Sequence, residues 1–194
     1  MKLYLAPGAC SLADHIAMCE AGLEFDRVRV DLRTKRTEDG ADFTEINPKG
    51  YVPALVLDDG KLLTENVAIL SWVAERAPQL GPGGELGRIR LIETLAFIAT
   101  ELHKPFIRVF FPTGDAEKEA ARAIVDGRFG FVADRLDGSY LFGNECSVAD
   151  AYLYVMLRWA KMSALEVPAP LPAFVDRMEA RPAVRLALQH EGLA

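Results

Sequence analysis

Three cysteines are all that this 194-residue chain carries, and no two of them form a Cys-x-x-Cys pair: the fourth residue counted from Cys10 is Ala13. A dithiol that closes into its own disulfide is thereby excluded, and a lone thiol can at most hold a mixed disulfide with another small thiol. Cys10, Cys19 and Cys146 are an odd number without metal-ligand spacing, and the three histidines, His15, His103 and His190, lie far apart in the chain. Neither a structural disulfide nor a metal is expected from that pattern. Long apolar runs are also missing, and Lys2-Leu3-Tyr4-Leu5 reads as a strand rather than the start of a signal peptide. No membrane-spanning segment is expected, and the cytoplasm is the expected compartment. There is no basic run, and the formal net charge is −6, which argues against nucleic acid or an anionic membrane as the main partner. Internal repeats and low-complexity tracts are absent too. What is present is apolar material in quantity: 51% of residues are hydrophobic, enough to bury a real core.

Periodicity divides the chain. Residues 1–77 alternate between strand and helix patterns, whereas residues 88–194 show helical periodicity alone. Between them, Ala77 to Gly87 holds two prolines and four glycines in eleven residues, a linker composition that gives an expected boundary at 78–87. In the first part, strands are predicted at Lys2 to Leu5, Arg27 to Leu32, Ala54 to Leu57 and Lys61 to Thr64. A polar loop runs from Arg33 to Gly40 and a short irregular stretch from Ala41 to Ile46. Asp58-Asp59-Gly60 makes the hairpin turn. With helices at Leu12 to Ala21 and Glu65 to Glu75, this is β-α-β, a connection, then β-β-α, a four-stranded mixed sheet covered by helices. The second part reads as a helical bundle with spans at 88–110, 115–137, 147–162 and 171–189. Ser147 and Asp150 stand as N-cap and N3 of the third span, the carboxylate variant of a capping box.

Four stretches carry chemistry. Cys10-Ser11 opens the first helix, where free N–H groups and the dipole favour a thiolate, so Cys10 is expected to be more acidic than a free cysteine. Cys19, farther along the same helix, reads as a small buried hydrophobe. In Asn47-Pro48-Lys49-Gly50-Tyr51-Val52-Pro53-Ala54-Leu55, a proline at the entrance to a strand suggests either a trans cap or a cis Val52-Pro53 bond. The cis form would turn the main chain of Val52 outward as a socket for a peptide backbone. Glu65-Asn66 falls at a helix start, which suits an anion. Thr100-Glu101-Leu102-His103-Lys104 puts an imidazole and a cation together on a helix that Pro105 is expected to bend.

The pattern Tyr4-x-x-Pro7-Gly8-Ala9-Cys10-Ser11-Leu12, Asn47-Pro48-x-Gly50-x-Val52-Pro53-x-Leu55, Leu63-Thr64-Glu65-x-x-Ala68-Ile69 and Glu101-Leu102-His103-Lys104 resembles the bacterial beta-class cytosolic glutathione transferases over essentially the whole length. The resemblance implies a thioredoxin-like glutathione-binding domain followed by an all-helical C-terminal domain. It also implies glutathione as co-substrate with no permanently bound cofactor, a small hydrophobic electrophile as the other substrate, and a homodimer. It assigns catalysis to Cys10 and His103. Glutathione would meet Cys10, Lys35, Val52, Pro53, Glu65, Asn66, Thr100, Glu101, Leu102, His103 and Lys104. In that scheme the Asn66 N–H takes the γ-glutamyl carboxylate, Glu65 supports that end or meets the amine, and Val52 pairs with the cysteinyl main chain. Lys35 reaches the glycyl carboxylate, although on sequence alone a solvated lysine serves equally well.

Two positions depart from the pattern. Ala96 stands where relatives often carry an asparagine, and Asn66 replaces the more usual serine or glycine. Apolar groups facing the thiol are expected among Phe106, Phe110, Phe111, Leu157 and Trp159, most of them core. Three functions remain open at this point: conjugation of glutathione to an electrophile, thiol exchange or peroxide reduction through a Cys10 mixed disulfide, and a non-catalytic ligand-binding or interaction role of the same fold.

Overall fold

The computed structural model describes residues 1–136 and 138–194. Strands β1 (Lys2–Leu5), β2 (Asp26–Asp31), β3 (Arg36–Thr37), β4 (Ala54–Val56) and β5 (Leu62–Thr64) form one sheet in the order β3-β2-β1-β4-β5. Only β1 and β2 run parallel, joined by the crossover helix α1 (Ser11–Glu20); the other pairings are antiparallel, with Leu3 opposite Arg27 on one side and Leu55 on the other. β1 is central, and its Leu3, Tyr4 and Leu5 are all buried. The sheet has five strands instead of the four expected. The extra one lies in the stretch read as a loop: Asp31 O accepts from Lys35 N–H, and the turn brings Arg36 and Thr37 back against Asp31 and Val30. A two-residue edge strand made of Arg and Thr has no apolar alternation by which to announce itself. The short helix α2 (Phe43–Ile46) and α3 (Asn66–Arg76) complete this half.

From Gly87 onward the regular elements are helical: α4 (Gly87–Phe97), a wide π turn (Ile98–His103), α5 (Lys104–Phe110), α6 (Asp115–Ala133), α7 (Val148–Met162), α8 (Leu171–Ala180) and α9 (Pro182–Glu191). Asp137, the expected last residue of the second helical span, lies outside the described residues. The first expected span is interrupted just before Pro105 rather than at it. In a regular helix the Pro105 ring would collide with the carbonyl four residues back, that of Glu101. The widened turn avoids this, and Lys104 N–H bonds Ala99 O, five residues earlier. The last expected span is two helices, because Arg181 precedes Pro182 and takes an extended conformation, φ −73° and ψ 132°. Cis bonds occur at Val52-Pro53, as the sequence suggested, and at Ala169-Pro170, which it did not. Among the described residues no helix is long and apolar enough to cross a membrane.

One core runs through both halves. α1 packs on α3, α7 and α9, so Leu12 and Ile16 share a buried cluster with Tyr152, Val155 and Val184. Polar ties reinforce this contact. Trp159 Nε1–H donates to Gly8 O at 2.8 Å, Gly8 N–H donates to Glu191 Oε2 at 2.9 Å, and Arg181 grips the Glu20 carboxylate with two bonds of 2.6 and 2.8 Å. The loop before Cys10 is thereby held from α7 and α9.

Candidate active site

The end of β1, the loop Ala6 to Ala9 and the start of α1 face the π turn and α5 across a cleft. Two cavities of about 640 and 390 Å³ open there, and Cys10, Tyr51, Val52, His103 and Ile107 line both. They are two compartments of one site with a common wall. The larger is apolar, bounded by Leu32, Phe110, Trp159 and, at its mouth, Phe111 and Met162, which are 76% and 71% exposed. The smaller is the more polar of the two, with Glu65, Asn66, Thr100, Lys104 and Arg108 among its walls.

Cys10 is the N-cap residue of α1 and is 8% exposed. Its Sγ lies 3.5 Å from Val52 O. The expected acidity is not found. Burial, with the Asp14 carboxyl adding to it, pushes the thiol up to about 12, and the first-turn N–H of Ser11 recovers only part of that. Desolvation outweighs the helix N-terminus because the sulfur is enclosed between α1 and the Val52 main chain. Asp14 is itself fully buried, and burial raises its carboxyl well above the usual carboxylate range. One of its oxygens accepts from Asn66 Nδ2 at 2.7 Å; the other meets no hydrogen-bond partner among the described residues. Asn66 Nδ2 also donates to Cys10 O at 2.9 Å. The Asn66 side chain therefore ties the starts of α1 and α3 together from beneath, a role its sequence position did not disclose.

Glu65 caps α3 at φ 74°, a left-handed conformation unusual for a residue with a side chain. Its carboxylate accepts from Lys49 Nζ and from Tyr51 O–H, the latter at 2.9 Å, and these bonds hold its pKa below the ordinary value, the Lys49 bond most of all. His103 Nδ1 lies 2.7 Å from Tyr152 O–H, and the imidazole stands edge-on to Trp159. Burial lowers His103 to about 4, against a smaller opposing pull from Glu65. Tyr152, which also lines the polar compartment, carried no separate signal within the apolar run of α7.

The remaining expected residues divide. Pro53, Thr100 and Lys104 line the polar compartment. Lys35 donates to Gly50 O at 2.7 Å and is not among the walls of either compartment. Glu101 points to α6, where Arg128 meets its carboxylate at 2.7 Å. Leu102 is wholly buried in the core. Of the apolar candidates, Phe110, Phe111 and Trp159 form walls, whereas Phe106 and Leu157 belong to the core. Leu32, Tyr51, Ile107 and Met162 were missed: each comes from a segment with no periodic signal toward this cleft.

A sheet of this topology with a thiol at the start of the first helix, a cis proline against it and a helical second half defines the class: a thioredoxin-like half joined to an all-helical one. Residues 9–76 match the model of the glutathione S-transferase N-terminal domain, and residues 100–190 that of the glutathione S-transferase C-terminal domain. The chain is 46% identical to glutathione S-transferase GstA of Escherichia coli O157:H7 and 38% identical to glutathione S-transferase GST-4.5 of Xanthomonas campestris pv. campestris, with both chains fully covered in each case. It superposes with a TM-score of 0.93 on a bacterial beta-class glutathione S-transferase of Sphingomonas chungbukensis, at 46% identity and full coverage of both chains. A sphingomonad glutathione S-transferase complexed with glutathione gives the same score, identity and coverage. The chain belongs to the glutathione S-transferase family and to its bacterial beta class, and its function is that of a glutathione transferase.

Proposed function

We propose that the polar compartment holds glutathione with its sulfur at the common wall, and that the apolar compartment receives a hydrophobic electrophile. The observation that carries this reading is that Cys10, Val52 and His103 face both compartments at once. The start of α3 takes the γ-glutamyl carboxylate at the Asn66 N–H, Glu65 meets the amine, and the Val52 main chain pairs with the cysteinyl unit. Lys104 adds positive potential nearby, and Lys35 would reach the glycyl carboxylate by leaving Gly50 O. When Tyr152 donates its O–H to His103 Nδ1, the imidazole proton sits on Nε2 and is a donor for the glutathione thiolate. The thiol proton leaves to solvent, sulfur bonds to the electrophilic carbon, and the leaving group departs with its electron pair. Positioning and thiolate stabilisation are the catalytic contributions.

Thiol exchange accompanies this on the placement of the Cys10 sulfur in the same wall. The Cys10 thiolate attacks the disulfide of oxidised glutathione, forming a mixed disulfide and releasing one reduced glutathione. We expect the protein to be retained on immobilised glutathione. Exposed to oxidised glutathione, it should gain one glutathione by intact mass, reversed by reductant and absent in Cys10→Ala. Because the thiol titrates near 12, adduct formation should be slow at neutral pH and speed up about tenfold per pH unit from 7 to 9. Failure of retention would remove the glutathione site, and an adduct that persists in Cys10→Ala or appears first at Cys19 or Cys146 would remove the Cys10 assignment.

A further inference from the structure

The three histidines are not all scattered in space. His15 lies on α1 one turn before Cys19, and His190 lies on the last turn of α9, which packs on α1. The imidazoles of His15 and His190 stack with centroids 5.4 Å apart and planes 8° from parallel, and His15 Nε2 is 3.3 Å from His190 Nδ1. Cys19 Sγ completes a triangle whose ligand atoms all lie within 4.8 Å of one another. Cys19 is partly exposed rather than buried as the sequence suggested. We propose that His15, Cys19 and His190 bind a divalent transition-metal ion of the zinc class, at a site separate from the glutathione cleft.

The donor set selects the ion. Two imidazoles and a thiolate suit a borderline-soft cation and not magnesium or calcium, which take oxygen. Two nitrogens at ordinary Zn–N distances and a tetrahedral angle stand roughly 3.3 Å apart, the separation already found between His15 and His190. A small rotation of the Cys19 side chain closes the third edge, and a fourth position remains for water. His15 is also oriented from behind. Its Nδ1 bonds Glu191 Oε1 at 2.8 Å with both side chains wholly buried, and the other Glu191 oxygen is fixed by Gly8 N–H. A carboxylate on the far ring nitrogen sets the tautomer that turns a lone pair at Nε2 toward the ion, as in histidine-ligated metal sites generally. Access comes from an open cavity walled by Cys19 and His190. Arg27 in that wall opposes a cation, and Glu24, Asp26 and Asp58 in the same wall offset it. Binding displaces the Cys19 thiol proton to solvent and forms the metal–sulfur bond.

Titrating untagged, reduced, metal-free full-length protein with Co²⁺, without glutathione, tests the site. One ion per chain should bind, with a thiolate-to-cobalt charge-transfer band and tetrahedral d–d bands that stoichiometric Zn²⁺ abolishes. Cys19→Ser should remove the charge-transfer band, and both it and His190→Gln should weaken binding at least about tenfold. Cys10→Ser should leave the spectrum unchanged. No band at micromolar protein and cobalt, or a band retained in Cys19→Ser, would show that the histidine pair is a packing contact only.

Discussion

His103 shows how enclosure changes what a side chain can do. A free imidazole titrates near 6.5, but burial against Tyr152 and Trp159 brings this one to about 4, so near neutral pH it is uncharged and offers an N–H rather than a positive charge. The shift has a sign for stability. The unfolded chain binds this proton below pH 6.5 while the folded chain declines it down to about 4, so native stability falls as pH drops through that window. Comparing wild type with His103→Gln by urea midpoints, the difference in unfolding free energy should move against wild type by about 2 kcal/mol between pH 7.5 and 5. An unchanged difference would mean that the imidazole is solvated in the native state. Cys10 obeys the same rule with opposite chemistry: its helix position argued for a thiolate, but the helix N-terminus acts over one turn and desolvation acts over the whole side chain.

Among the elements, α7 is the most instructive because its start was readable and its surroundings were not. Asp150 accepts from Ser147 N–H at 2.8 Å and Ser147 O–H at 2.6 Å, as the cap pattern implied. Its other oxygen accepts from Leu141 N–H at 2.8 Å, in the loop that leads into the helix. Burial raises this carboxyl to about 6, and all three donors lose their partner if it is removed. Asp150→Ala should therefore cost about 2–4 kcal/mol, well above a surface cap, measured by chemical denaturation. A loss below about 1 kcal/mol would show that water replaces the carboxylate. The π turn before Pro105 is a second case: a proline foretells a break, but where the helix absorbs it depended on the packing of Leu102 inward and His103 toward the cleft.

For the molecule as a whole, the shared core of α1, α7 and α9 makes the two halves one body, and the cleft lies along their seam. The family resemblance read from the sequence implies two-fold pairing, and such pairing is the commonest oligomer. We expect a homodimer, the first half of one subunit against the second half of its partner, with glutathione affinity falling when dilution or an interface charge reversal separates the subunits. Light scattering at micromolar concentration that shows a fully active monomer would end this reading.

Local rules were enough for a good part of this protein. The apolar runs around Leu3 and Leu55, the Gly60 turn, the Ser147 cap and the proline at Val52-Pro53 each act within a few residues, so the strands β1, β2, β4 and β5, the hairpin and the helical second half could be read from the chain, and the motif spacing led to the family. Contacts between residues far apart in sequence had no such signal. That Asn66 turns inward to Asp14, that Lys35 meets Gly50, that Glu101 faces Arg128 and that Leu32 and Met162 line one cavity depends on how elements are laid together. The same holds for His15 and His190, 175 residues apart in the chain and 3.3 Å apart in the fold. Backbone preference and hydrophobic periodicity are properties of neighbouring residues and are written in the sequence; burial, and with it the pKa of a thiol or the pairing of two imidazoles, is a property of the space that distant segments enclose, and only the tertiary structure decides it.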